Sequence, residues 1–352
     1  MTIDQLFQLT IANKASDGHL IVGVAPTLRI NGELMPVTGA GVLTAEAVGN
    51  LVLPLLSEKK RQTLAEFREL DWSHSLPDGT RFRFNAYYTF GNLAASFRII
   101  PKKPPTIKEL NLPELLYQFT SLKQGFILVT GPTGHGKSTT VAAMLEEINQ
   151  TRQGHIISIE DPIEYVFKPG KAIISQREVG SDTLKWQNAL RSALREDPDV
   201  VFVGEMRDLE TIALALTIAE TGHLVFSTLH TNSAAQTIDR IIDVFPQGSQ
   251  QQIRSQLASV LVAVVSQRLV PTKEKLQRMP ATEILISNPA VKTAIREGKV
   301  HMIDNIIQTS LETGMISLER SLANLIKNGY ITLETAQLFS LRPEELQRYL
   351  KR

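Results

Sequence analysis

Apolar and polar residues alternate in Arg81-Phe82-Arg83-Phe84-Asn85 and again in Ala95-Ser96-Phe97-Arg98-Ile99. Period two predicts strands, here over 81–89 and 93–100. Phe82, Phe84, Phe97 and Ile99 then face a core, and Arg81, Arg83, Asn85 and Arg98 face away from it. Upstream, Leu28-Arg29-Ile30 and Glu33-Leu34-Met35 flank Asn31-Gly32, a two-residue hairpin signal because both turn positions favour positive φ. Residues 45–56 and 59–67 have helical spacing, and 71–76 reads as a strand. Pro101-Lys102-Lys103-Pro104-Pro105 then stops any regular element and gives a semi-stiff, extended connection. The pattern predicts an N-terminal domain over 1–100, a proline-rich linker over 101–112 and a second domain over 113–352.

Beyond the linker, short apolar runs alternate with amphipathic helical stretches, the pattern of a parallel sheet covered by helices. Strands are expected at 126–130, 156–160, 200–203 and 224–229, where brief apolar runs suit burial on both faces. After Phe245-Pro246 the pattern turns helical. Ile253, Leu257, Val260, Leu261, Val264 and Val265 share one helical face, so a helix is expected to run through them. Further helices are expected at 289–297, 317–327 and 343–350, making 288–352 a mainly helical C-terminal part.

Composition narrows the chemistry. The 352 residues include no cysteine, which removes disulfides, thiolate metal sites and a cysteine nucleophile. With 37 basic and 36 acidic residues the formal charge is +1, a poor match to a surface built mainly for nucleic acid. The first residues lack a basic stretch followed by an apolar one, so no signal peptide is expected. No apolar run reaches the ~18 residues of a membrane span, so work at a membrane would require recruitment.

Gly131-Pro132-Thr133-Gly134-His135-Gly136-Lys137-Ser138 has the spacing GxxxxGK[ST], with a strand expected before it and a helix from Thr139 onward. In that setting glycines let backbone N–H groups turn toward phosphate oxygens, and the helix start adds positive potential. Lys137 would reach the β and γ phosphates of ATP, and Ser138 would ligate Mg²⁺. Hydrolysis also needs carboxylates near the metal and the attacking water. Asp199-Val200-Val201-Phe202-Val203-Gly204-Glu205 has the form of a buried strand ending in a carboxylate, which either aims Glu205 at the Mg²⁺ shell through water or leaves it as a surface glutamate. Ile159-Glu160-Asp161-Pro162-Ile163-Glu164 supplies a second acidic cluster at a strand end, where open α/β sheets bind ligands. His223 and His230 bracket the strand at 224–229, and each position suits solvent, a core hydrogen bond or the nucleotide.

These segments occur in order, together with Leu194-Arg195-Glu196-Asp197-Pro198-Asp199, Val203-Gly204-Glu205-Met206-Arg207-Asp208 and Gly222-His223-Leu224-Val225-Phe226-Ser227-Thr228-Leu229-His230. The series resembles the Walker A, Asp box, Walker B and His box of the secretion ATPases of type II secretion and type IV pili. Glu205 to Thr211, and Ile295-Arg296-Glu297-Gly298-Lys299-Val300-His301, are most similar to the retraction motors of twitching motility. The resemblance implies an α/β architecture: a PAS-like N-terminal α+β domain and a RecA-like ATPase domain, assembled as a homo-hexamer. It implies a cytoplasmic location peripheral to the inner membrane, through a pilus platform protein. It makes Glu164 a catalytic candidate and His223 and His230 nucleotide sensors, and it brings Arg81, Arg83 and Arg98 to the nucleotide. Extension and secretion motors of the class are commonly longer and often carry a four-cysteine insertion, so this chain is expected to retract pili. An extension or secretion ATPase, an accessory retraction motor, a non-hydrolysing nucleotide-gated module and a DNA translocase are the competing readings.

Overall fold

The computed structural model describes residues 1–30, 32–101, 103–274 and 277–351. Contacts divide the chain into two units, Met1–Lys103 with Glu164–Val166, and Pro104–Ile163 with Phe167–Arg352.

The first unit contains strands β1 (Asp17–Leu20), β2 (Thr27–Ile30), β3 (Glu33–Pro36), β4 (Glu69–Ser75), β5 (Arg81–Thr89) and β6 (Asn92–Ile100). Among the described residues they form one antiparallel sheet in the order β3-β2-β1-β6-β5-β4. The expected hairpin pairs Ile30 with Glu33, Gly32 has φ of 90°, and Asn31 lies outside the described residues, as does Lys102 of the linker. The alternation in β5 does what its period dictates: Phe82 and Phe84 are fully buried. Phe7, from the helix Ile3–Ala12, stacks on Phe82 at 4.4 Å between ring centroids and meets Phe84 and Phe97 edge-on. Burial of each phenylalanine stabilises the unit by about 1.5–3 kcal/mol. Gly18 in β1 pairs with Phe97, and a Cβ there would fall 2.1 Å from the ring, so the strand accepts only glycine opposite this core. Helices Ala45–Val52 and Glu58–Phe67 complete the PAS-like α+β unit, contributing Val48, Leu51, Val52 and Leu64 to the same core.

The second unit carries β7 (Gly125–Thr130), β8 (His155–Glu160), β9 (Ile173–Glu178), β10 (Val200–Val203), β11 (Leu224–Leu229), β12 (Leu261–Pro271) and β13 (Arg278–Ile286). Among the described residues the order is β13-β12-β7-β11-β10-β8-β9, parallel from β12 to β9, with β13 antiparallel to β12. Every residue of β7, β10 and β11 is buried, as the uninterrupted apolar runs require for a RecA-like sheet covered on both faces.

One expectation is corrected. The helix Gln247–Val260 stops at Val260, and Leu261, Val264 and Val265 belong to β12. A nearly continuous apolar run fits helix and strand periods alike. The β-branched Val262, Val264 and Val265 and the free edge of β7 decide for strand. The C-terminal part is helical: Pro289–Arg296, Ile303–Thr309, Leu318–Lys327, Leu333–Phe339 and Pro343–Lys351. Among the described residues no helix is long and apolar enough to cross a membrane.

Candidate active site

The loop 131–136 leaves the carboxyl end of β7 and enters the helix Lys137–Thr151. Gly131 has φ of 143°, and a Cβ there would meet the carbonyl oxygen of Gln267 at 2.2 Å, so both conformation and space require glycine. Gly136 caps the helix at φ of 81°. The first turn of this helix contains no acidic side chain to compete with a phosphate.

Lys137 is buried, and its Nζ donates to the carbonyl oxygens of Gly131 at 2.9 Å and Pro132 at 3.0 Å. Sheet order determines what joins it. β11 lies beside β7 with Leu229 opposite Thr130, and β10 lies beside β11 with Val203 opposite Ser227. His230 and Glu205, which follow these two strands, therefore emerge beside the phosphate loop.

His230 connects the two. Its Nε2 is 3.0 Å from Glu205 Oε1, and its Nδ1 is 3.4 Å from Lys137 Nζ and 3.2 Å from Thr133 Oγ1. A lysine ammonium only donates and a carboxylate only accepts, so the contacts fit an imidazole with its proton on Nε2. The other Glu205 oxygen, Oε2, accepts from Arg207 at 2.9 Å. Burial acts to raise the Glu205 pKa, but the Arg207 hydrogen bond and the His230 contact outweigh it and hold the carboxyl below its ordinary value. Arg207 is correspondingly raised, first by its hydrogen bond to Glu205 and then by that residue's charge, with Asp161 contributing. Glu205 is thus an ionised carboxylate fixed at the loop. Arg207 was not anticipated as its partner, although a charged pair directly after an apolar strand was visible in Glu205-Met206-Arg207.

His230→Ala is expected to leave ATP binding largely intact and to lower kcat about 10²-fold, because the link that positions Glu205 against Lys137 is lost. Steady-state kinetics on the purified variant, alongside a nucleotide titration, measure both; turnover within threefold of the parent would remove His230 from the site.

The structure does not bring His223 to this loop. Leu224 pairs with Gly125, the first residue of β7, so His223 stands at the opposite end of a six-residue strand, roughly 20 Å away. There Thr221 Oγ1 and the Ile218 carbonyl lie 3.0 Å from its Nδ1, closing the C-terminus of the helix Leu209–Glu220. In the other acidic cluster Glu160 is buried at the end of β8 and accepts from Ser158 Oγ at 2.7 Å, whereas Glu164 is exposed and groups by its contacts with the first unit.

The arginines belong to the first unit. Register sets Arg29, Asp17, Arg98 and Arg83 in one row across β2, β1, β6 and β5. Arg98 Nε donates to Asp17 Oδ1 at 2.7 Å, and an Arg81 nitrogen donates to Ser73 Oγ at 2.8 Å. The Arg98 side chain is 69% exposed, so its ion pair contributes only about 0.2–1 kcal/mol and is readily exchanged for another anion.

Among the described residues no group of three or more His, Asp or Glu side chains could hold a metal.

Similarity to known proteins agrees with this arrangement. A profile of the family "Type II/IV secretion system protein" matches residues 97–335. A Pseudomonas aeruginosa protein described as a type IV pilus retraction ATPase, PilT, is 46% identical over 344 residues, covering 98% of this chain and 99% of the relative. A twitching motility protein of Neisseria gonorrhoeae is 47% identical over 336 residues, covering 96% and 90%. A crystal structure of the pilus retraction motor PilT with bound ADP superposes with a TM-score of 0.92 at 47% identity, covering 99% of each chain.

Proposed function

The chain belongs to the type II/IV secretion system protein family, and we propose that within it the protein is an ATP-driven motor for type IV pilus retraction and twitching motility. The observation that carries this reading is the continuous contact from Lys137 through His230 to Glu205 at the carboxyl edge of the sheet. It joins a phosphate-loop cation to an ionised carboxylate, the two charges that ATP hydrolysis requires. In our reading the backbone N–H groups of 131–139, Pro132 excepted, receive the phosphates, and Lys137 exchanges its carbonyl partners for β and γ oxygens. Ser138 and Glu205, the latter through water, would hold a Mg²⁺ that neutralises charge on the phosphates. Glu205 and Glu164 then divide the work of supporting the metal shell and positioning the attacking water.

The motor works as a homo-hexamer in the cytoplasm, peripheral to the inner membrane, and engages a pilus platform protein. The near-zero net charge gives no basis for nucleic-acid binding. Arg81, Arg83 and Arg98 serve the γ phosphate, since guanidinium stays charged and grips phosphate oxygens bidentately. Arg83→Ala or Arg98→Ala is expected to spare ATP binding and hexamer assembly and to cut hydrolysis at least about tenfold, a fraction of what arginine fingers contribute. Parental turnover in both single variants and in the triple arginine variant would leave the row as a solvated face.

Steady-state phosphate release by the purified protein, with and without EDTA, tests the enzymatic reading. Metal-dependent ATP turnover is expected, and nucleotide binding without turnover would instead make the chain a nucleotide-gated module.

A further inference from the structure

In β12 an apolar run, Ala263-Val264-Val265, is followed by two buried polar residues, Ser266 and Gln267. Gln267 is 2% exposed, so its amide needs partners inside the protein. It finds them in the phosphate loop and in the helix that follows it. Gln267 Nε2 donates to the carbonyl oxygen of His135 at 2.8 Å, and Gln267 Oε1 accepts from Thr140 Oγ1, also at 2.8 Å. Thr140 is 1% exposed on the first turn of the loop's own helix, so the amide is oriented as well as buried. Two residues on, the Leu269 N–H donates to His135 Nδ1 at 3.0 Å. Burial, followed by the charges of Arg268, Arg278 and Lys137, lowers the pKa of that histidine, in keeping with a ring nitrogen that accepts. A Cβ on Gly136 would stand 2.9 Å from Gln267 Nε2, so the amide occupies the space that this glycine leaves.

The consequence follows from peptide geometry. The His135–Gly136 bond is trans, so its C=O and N–H point in opposite directions. A carbonyl held toward β12 turns the Gly136 N–H to the opposite side, away from β12. We propose that Gln267 is a positioning residue for phosphate binding: by holding the His135 carbonyl away from the ligand, it aims the Gly136 N–H at the phosphate. This rests on the nucleotide-site reading above, and it adds a residue outside the loop that presets the loop's donors.

The test uses the full-length protein with four substitutions: Gln267→Met, Thr140→Val, Thr140→Ser and the Gln267→Met/Thr140→Val pair. ATP and ADP affinity, kcat and the nucleotide-free melting temperature are measured for each. Gln267→Met is expected to weaken both nucleotides about 10–10²-fold, the loss of a hydrogen bond to a charged group. Thr140→Val is expected to lose affinity in the same direction, and Thr140→Ser, which keeps the hydroxyl, to restore it. The double variant is expected to bind no worse than Gln267→Met, because both changes act through one amide. A purely structural role would lower the melting temperature without this pattern. If Gln267→Met fails to fold, the Thr140 pair decides alone: equal affinity in Val and Ser variants overturns the proposal. So does a folded Gln267→Met with parental affinity, or additive losses in the double variant. Absence of nucleotide binding by the parent protein would be a different failure, that of the nucleotide site itself.

Discussion

Lys137→Ala is expected to abolish ATP turnover and to weaken nucleotide binding on the order of 10²-fold, through loss of charge-assisted hydrogen bonds in a desolvated site. Within the loop 131–138 it is the residue that brings a full positive charge to the β and γ oxygens. Its Nζ already lies within the loop, on the Gly131 and Pro132 carbonyls, and is buried there. The measurement is phosphate release together with a nucleotide titration. Hydrolysis near the parental rate would mean that the loop is a glycine-rich turn with a structural lysine.

Glu205→Ala and Glu164→Ala are both expected to bind ATP and to lose hydrolysis by about 10²–10⁴-fold, the usual contribution of a residue that positions or deprotonates water. For Glu205 the geometry supplies the reason: its carboxylate is linked to His230 and Arg207 and is held ionised. The depressed pKa also sets a pH dependence. This contribution to folded-state stability is present above the unfolded carboxyl value and is lost as pH falls through the lower folded value. Glu164 is an exposed residue in the segment after β8, and its assignment rests on resemblance. A loss below threefold in either variant, measured in the same assay, would remove that residue from the catalytic set.

The parts of the site that the sequence reveals are those encoded locally. Gly131 to Ser138 sits between a strand and a helix, and both form where the period places them. Glu205 and His230 were visible as residues ending apolar runs, because central parallel strands present their carboxyl ends together. Likewise, alternation in β5 was enough to bury Phe82 and Phe84 and to leave the arginines on the other face. What escaped depends on pairings distant in sequence. The conversion of 261–271 from helix to β12 is decided by β7, more than a hundred residues upstream, and Gln267 acquires its role only through that pairing. Whether a histidine beside β11 reaches the phosphate loop depends on which end of the strand it occupies. The motif alone treated His223 and His230 alike, and register separates them. The Asp17 partner of Arg98 is likewise a product of register in the first sheet.

The most direct test of the motor assignment is to delete the gene in its own organism and count surface pili, with twitching measured beside it. Retraction by this protein is expected to give cells that carry excess pili and do not twitch, restored by the parental gene and not by Lys137→Ala. Bald cells would contradict the account and assign the chain to pilus extension.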